Sequence, residues 1–595
     1  MSRLVVCLSF GIVISSAGFA ASTGIGSGNP FLKAVYAPVD VAVQPDDAAR
    51  DMCITAEGEI RHYGYMDVAG RKRYAYIASR DGINWSKHIA HPNDAGAMVK
   101  SPWSGNWIYF NHQSRLVRSA IGPGDTNAEI TDLGYRNLEL RQLIPMKSRK
   151  RWIAVFSDVS CKNRECYHTK VAHSDDDGKS WKIVDVAPIE NMARYHPGGK
   201  RRHWFNNGCE PTVVELKDGT LRLCMRSSGE HHAFCTSTDG GQSWSKAEPD
   251  NAFWAVNTMP LFFRLSDGRL LFFWNNTAIL PTMPLSQHPE VAKNRDIIDG
   301  VWEAAFTNRD AIHAAISDDD GKTWKGFREI ALNAIRNRPD FRTVGLDSAA
   351  RNDKSVHQSQ ALELAEGKVL LAFGQNKKAR RMVIFDPDWL LETSRSENFK
   401  TGLESISNHL YVKSYCGGWG KNGHCAWNRI PGAVLARDPD LSEKQIIMRE
   451  ALQICRITDP RLFDDRQGAV WNFPAAASGE IEIECRTDGS GFSLSLLDHW
   501  INPCDAFNAS RAPYTEAIGA EIIPKGKWVK LKVKWDAKNG EVLLAVDGQT
   551  RKRRKLGACS RFGLSYLHLQ TLAEGFDPQG SYFRSFRMNS GKPFN

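Results

Sequence analysis

The residues best placed to do chemistry begin at Asn206-Asn207-Gly208-Cys209-Glu210-Pro211, which leads into the apolar run Thr212 to Leu216. After the turn Lys217-Asp218-Gly219-Thr220, a second run closes on Arg226. Glu210 opens one strand and Arg226 ends its hairpin partner, so both side chains are expected at one rim of the same hairpin. A carboxylate and a guanidinium there can bind and polarise a sugar, or form a plain surface ion pair. His357, in Ser355-Val356-His357-Gln358-Ser359, titrates near neutrality and reads either as a general base or as a structural hydrogen-bonding group. Arg141, alone in Leu138-Glu139-Leu140-Arg141-Gln142, is a further site residue or a cross-strand partner.

Rigid elements must hold these groups, and four turns supply the frame. They are Ser79-Arg80-Asp81-Gly82-Ile83-Asn84-Trp85, Ser174 to Trp181, Ser237 to Trp244 and Ser317 to Trp324. The last three share the pattern Ser-x-Asp-x-Gly-x-(Ser/Thr)-Trp, and the first is one residue shorter. In each, Asp can accept from backbone N–H groups, Gly supplies a positive φ and Trp plugs the hairpin into a core. A second set of turns, at Thr55-Ala56-Glu57-Gly58, Lys217-Asp218-Gly219, Ser266-Asp267-Gly268 and Ala365-Glu366-Gly367, precedes further strands. One hairpin unit is therefore used repeatedly. With the less regular segments from Trp103 to Arg118 and from Leu138 to Phe156, the count reaches six units. The fold class expected is all-β: a six-bladed propeller over residues 30–390, its inner strands surrounding a central channel. A Ser- and Glu-rich linker is expected over 391–405. Runs such as Gly479-Glu480-Ile481-Glu482-Ile483-Glu484-Cys485 and Val529-Lys530-Leu531-Lys532-Val533 alternate with period two, which predicts a β-sandwich over 406–595.

Composition fits a folded protein, with 42% hydrophobic and 24% charged residues. Arg3, the apolar run Leu4 to Ile14 and Gly18-Phe19-Ala20 read as a signal peptide over 1–20, so a secreted or periplasmic product is expected. No membrane span is expected. Cys161 with Cys166 and Cys416 with Cys425 are the preferred disulfide pairs, while Cys224 and Cys485 read as bridged or as buried thiols. The net charge of +10 includes one dense basic run, Arg551-Lys552-Arg553-Arg554-Lys555, just past the turn Asp547-Gly548. It reads as a solvated strand edge or as a dock for an acidic glycan, not for nucleic acid. Neither a metal site nor a cofactor is indicated, and the chain is expected to be a monomer.

The four turns resemble the Asp boxes of the sialidase superfamily, and the alternating C-terminal strands resemble laminin-G-like or concanavalin-like sandwiches. The first resemblance implies a propeller whose Asp boxes lie away from the active face. It implies that Glu210 acts as base or as partner to the nucleophile, and that Arg226 and Arg309 grip the substrate carboxylate. Arg50-Asp51-Met52-Cys53-Ile54 stands where sialidases carry Arg-Ile-Pro, which makes Arg50 a third carboxylate-binding residue. Asp51 is the preferred acid, with Asp67 the alternative. The nucleophilic Tyr is not matched: Gln358 occupies its place beside His357, and an amide cannot replace a phenolate. The reading is an exo-acting glycoside hydrolase releasing a terminal acidic sugar, a sialic, ulosonic or uronic acid. Its alternatives are a polysaccharide lyase acting on a uronate and a non-catalytic glycan-binding propeller.

Overall fold

The computed structural model describes residues 26–44, 52–55, 57–90, 98–111, 115–159, 168–189, 207–227, 229–278, 309–334, 336–337, 355–374, 380–412, 428–430, 432–441, 450–456, 466–504, 511–591 and 594. The expected signal peptide, Arg50, Asp51 and the cysteines at 161, 166, 416 and 425 lie outside these residues.

Six four-stranded antiparallel sheets form the blades of a propeller. Blade 1 comprises Met52–Ile54, Ile60–Val68, Arg71–Ser79 and Ile89–Ala90; blade 2 comprises Val99–Lys100, Trp107–Asn111, Arg115–Ser119 and Glu129–Asp132. Blade 3 runs through Leu138–Met146, Arg151–Asp158, His168–Ser174 and Lys182–Val186, and blade 4 through Asn207–Glu215, Leu221–Ser227, His231–Ser237 and Glu248–Trp254. Blade 5 contains Leu261–Arg264, Leu270–Trp274, Ala311–Ser317 and Lys325–Leu332. Blade 6 contains Gln360–Glu363, Val369–Phe373 and Arg381–Phe385, completed by the early strand Val39–Ala42, which pairs with Arg381–Phe385.

One apolar cluster fills each seam between blades. Phe272, Trp274 and Phe253 meet Trp324 and Phe327 between blades 4 and 5, and Phe273 meets Phe373 and Phe385 between blades 5 and 6. The boxes close the hairpins from third to fourth strands. In the second box Ser180 N donates to Asp176 Oδ1 over 2.9 Å, Gly178 N donates to Ser174 Oγ over 2.8 Å, and Trp181 Nε1 donates to Gly178 O over 3.1 Å. Blade 2 builds the same turn from a different order of residues: Ser119 Oγ accepts from Gly122 N and donates to Asp125. The boxes also staple neighbouring blades. Asp320 of blade 5 accepts from Lys217 N of blade 4 over 2.7 Å, and the main-chain oxygen of Asp177 in blade 3 accepts from Arg118 Nε of blade 2 over 3.0 Å.

The C-terminal part is a β-sandwich of an eight-stranded and a five-stranded antiparallel sheet. In Ser478–Thr487 intermediate and buried positions alternate through the whole strand, placing Ile481, Ile483 and Cys485 in the core with Trp535, Phe583 and Phe586. The expected linker is more than a connector: Ser394–Glu397 pairs with Asp577–Ser590 and extends the larger sheet. Its alternation of exposed and half-buried residues is too short to read as a strand in isolation.

The two parts share a polar and apolar seam. Trp500 is fully buried, its N donates to Asn276 O over 2.8 Å and its carbonyl accepts from Ala278 N over 3.0 Å. Trp500 and Tyr566 pack with Ala278, Ala311 and Leu332. Tyr566 Oη donates to Glu329 Oε1 over 2.7 Å and meets His313 Nε2, and Arg561 grips Asp250 with both terminal nitrogens at 2.6 and 2.8 Å. Cys224 and Cys485 are buried thiols, and burial raises the pKa of both well above the usual thiol value.

Candidate functional site

In blades 1 to 5 the box turns follow the third strand, so the opposite face carries the starts of first and third strands and the ends of second strands. Glu210, Arg226, Arg309 and His357 all belong to that opposite face.

Glu210 lies where the ladder of blade 4 slips. Cys209 pairs with Arg226 and Thr212 with Cys224, with register shifts on both sides of Cys209. Pro211 has no N–H to give, and Glu210 takes a φ of 38°, unusual for a residue with a side chain. Such a backbone persists only when its surroundings hold it. Here Glu210 N donates to Ser157 Oγ of blade 3 over 2.8 Å. Its carboxylate receives Arg226 Nη1 on one oxygen and Arg141 Nη1, at 3.1 Å, on the other. Arg141 in turn donates from Nε to Ser157 Oγ over 3.0 Å and pairs with Glu139. Glu210 is 6% exposed, so these are buried ion pairs rather than a surface pair.

Arg226 turns its Nε to Asn257 Oδ1 at 2.7 Å. The main-chain oxygen of the same asparagine accepts from Arg309 Nη2. Arg309 is 0% exposed, and its Nη1 lies 2.9 Å from His357 Nε2. A guanidinium only donates, so the imidazole accepts at Nε2 and the neutral ring carries its proton on Nδ1. Backbone bonds fix the two ends: Val356 N donates to Arg309 O over 2.9 Å, and Gly374 N donates to His357 O over 2.7 Å. Asn275 Nδ2 donates to Val356 O over 2.9 Å and also reaches Ala311 O, tying blade 5 to the start of blade 6.

The result is one continuous chain of contacts, Arg141, Glu210, Arg226, Asn257, Arg309 and His357, drawn from blades 3 to 6. Five residues proposed from sequence, Arg141, Glu210, Arg226, Arg309 and His357, are brought together in it. Asp67 is elsewhere occupied: its side chain accepts from Gly70 N over 2.8 Å and shapes its own hairpin turn. Gln358 follows His357 with a φ of 61° and is largely buried. Sequence reasoning missed Asn257 and Ser157. Ser157 had a signal, a hydroxyl near the end of the apolar run Trp152 to Phe156; Asn257, in a loop between blades, had none. Among the described residues no group of His, Cys, Asp and Glu is arranged to hold a metal ion. No described helix is long and apolar enough to cross a membrane.

A family model of the BNR repeat-like domain matches residues 140–384, from the first strand of blade 3 into blade 6. The blades that this match spans are all-β with repeated box hairpins. Among solved structures, Trypanosoma rangeli sialidase in complex with 2,3-difluorosialic acid is 12% identical, with 93% of this chain and 96% of that chain covered and a TM-score of 0.33. The NanB sialidase of Streptococcus pneumoniae is 12% identical over 59% of this chain and 70% of that one, with a TM-score of 0.37. A further sialidase is 11% identical at a TM-score of 0.28, and this chain spans about half of its length, 52%.

Proposed function

We propose that this chain is an exo-acting, sialidase-like glycoside hydrolase that releases a terminal acidic sugar from a glycan. The observation that carries the reading is the pair of buried guanidiniums, Arg226 and Arg309, both bonded to the single residue Asn257. Two planar forks held that close, in a water-poor setting, suit recognition of a carboxylate. The BNR repeat-like domain supports a glycan as the partner.

In this reading Arg226 and Arg309 bind the sugar carboxylate, with Arg50 as a third donor. Glu210, which two arginines address, acts as base or as partner to the nucleophile. Asp51 supplies the proton to the leaving oxygen, and water completes the hydrolysis. His357 holds Arg309 in place, since its Nε2 lone pair is engaged with the guanidinium. A second reading, glycan binding without turnover, is favoured by Gln358: the site offers an amide where a nucleophilic phenol would stand.

The test is a screen of purified protein on sialylated, ulosonate-bearing and uronate-bearing glycans, following released sugar and ultraviolet absorbance together. Release of a free acidic sugar, abolished by Glu210→Ala, supports the hydrolase. Growth of absorbance marks an unsaturated product and replaces it with a lyase. Binding with no turnover leaves the glycan-binding reading.

A further inference from the structure

The strand Gln549–Lys555 is the last strand of the larger sandwich sheet, with a free edge beyond it. Five of its seven residues are basic, and all but Lys552 are exposed. The register divides them into two sets. Lys552 stands opposite buried Leu544 and Arg554 opposite buried Val542, so both turn toward the second sheet. There Lys552 Nζ reaches Glu516 Oε1 at 2.7 Å and Arg554 Nε reaches Glu516 Oε2 at 3.1 Å. These two residues bind the edges of the sandwich together.

Arg553 and Lys555 point the other way, opposite Leu543 and Glu541, and Arg551 occupies the bulge between Leu544 and Ala545. Arg553 keeps one distant acidic contact, Glu541 at 3.8 Å. On the same outer face, Lys534 stands opposite Leu543 and Lys532 opposite Ala545 from the next strand but one. Keeping a sheet edge from self-pairing needs only a charge or two; Arg551, Arg553 and Lys555 form an outward positive ridge of three cations along the edge, while Lys532 behind them is paired with Glu482 at 3.6 Å and Glu480 at 3.8 Å.

We propose that this ridge docks an anionic polysaccharide, at a site distinct from the arginine pair in the propeller and independent of its chemistry. The ridge is linear and exposed, which suits an extended polyanion. The strand itself has no aromatic side chain on which a nucleic-acid base could stack and no large apolar residue to enter a lipid surface, and the nearby Phe594 ring is covered by the Arg553 guanidinium at 5.7 Å.

The experiment measures binding of the full chain to polygalacturonate and dextran sulfate, with neutral dextran, single-stranded DNA and phosphatidylserine vesicles alongside. The comparison protein carries Arg551→Ser, Arg553→Ser and Lys555→Ser, all exposed positions, with its melting temperature checked against the parent. The parent should bind both anionic polysaccharides with affinity falling steeply as salt rises, and the triple variant should bind roughly tenfold or more weakly with a shallower salt slope. Neutral dextran should not bind. Equal affinity in parent and variant, or no binding by the parent, overturns the proposal. DNA or vesicles bound more tightly than either polysaccharide through the same residues overturns the choice of ligand.

Discussion

Arg309 Nη1 donates to His357 Nε2 over 2.9 Å, which makes one unit of two residues that lie far apart in the chain. The imidazole orients the guanidinium and is not poised to take a proton from substrate. On the acidic glycan returned by the screen, His357→Ala should raise KM about tenfold while kcat changes less, a loss of roughly 1.4 kcal/mol in binding. His357→Gln can still accept from Arg309 through its amide oxygen and should recover most of that loss. A defect confined to kcat and not rescued by Gln would instead make His357 a proton carrier.

Glu210 and Arg226 form a buried pair, so removing one partner leaves the other charge uncompensated. Glu210→Ala should destabilise the protein by roughly 3 kcal/mol, read from urea unfolding. The double variant with Arg226→Ala should cost clearly less than the sum of the single changes, by ~1 kcal/mol or more. Additive losses would show that the two side chains do not interact in solution.

Acid should weaken the fold between neutrality and pH 5. Burial pushes the imidazoles of His232 and His313 down to about 3 and that of His568 to about 4, below the ordinary value of 6.5. The unfolded chain therefore takes up protons that the folded chain refuses, and each histidine removes up to ~1.4 kcal/mol per pH unit as pH falls below 6.5. Glu329 works in the opposite direction. Burial pushes its carboxyl up to about 7, so the folded chain keeps a proton that the unfolded chain has lost, and stability declines as pH rises from about 4.5 to about 7. Glu329→Gln should therefore gain stability relative to the parent at pH 8 and show a steeper fall on acidification, measured as urea midpoints across pH 5 to 8.

Trp500 joins the sandwich to the segment Asn276 to Ala278, next to the asparagine that ties blades 5 and 6. Its replacement by Ala should cost about 3–5 kcal/mol. Calorimetry should show the single transition of the parent separating into two, as the sandwich and propeller lose their coupling. One unchanged transition would mean that the seam contributes little to cooperativity.

The repeated architecture was legible because its turns have local causes. Ser174, Asp176 and Gly178 make their contacts within one loop, and the spacing of the boxes exposed the blades directly. Glu210 and Arg226 were marked by their positions at the ends of paired strands, and Arg309 by the resemblance to sialidases, through its distance before a box serine. What binds them together was not, because Asn257 reaches Arg226 with its side chain and Arg309 with its backbone, and a backbone acceptor leaves no mark in residue type. The fifth box-like device, built from Ser119 and Asp125, was hidden for a related reason: the same bonds form with the aspartate displaced along the chain. Ser394–Glu397 belongs to the sandwich only because Asp577–Ser590 comes back alongside it, a pairing across nearly the whole C-terminal part.

The strand Val39–Ala42 closes the ring by pairing with Arg381–Phe385, and Asp40 meets Arg381 Nη1 at 2.9 Å. The first strand of the propeller to leave the ribosome must thus wait for the last. Until residue 385 has been made, blade 6 has an open edge and its seam with blade 1 cannot shut, so assembly proceeds around the ring with its two ends meeting at the finish. Closing so long a loop costs conformational entropy that grows only slowly with length. The delay is then set mainly by synthesis, and the unpaired edge of blade 6 is the surface that a folding chain most needs to keep from pairing with its neighbours.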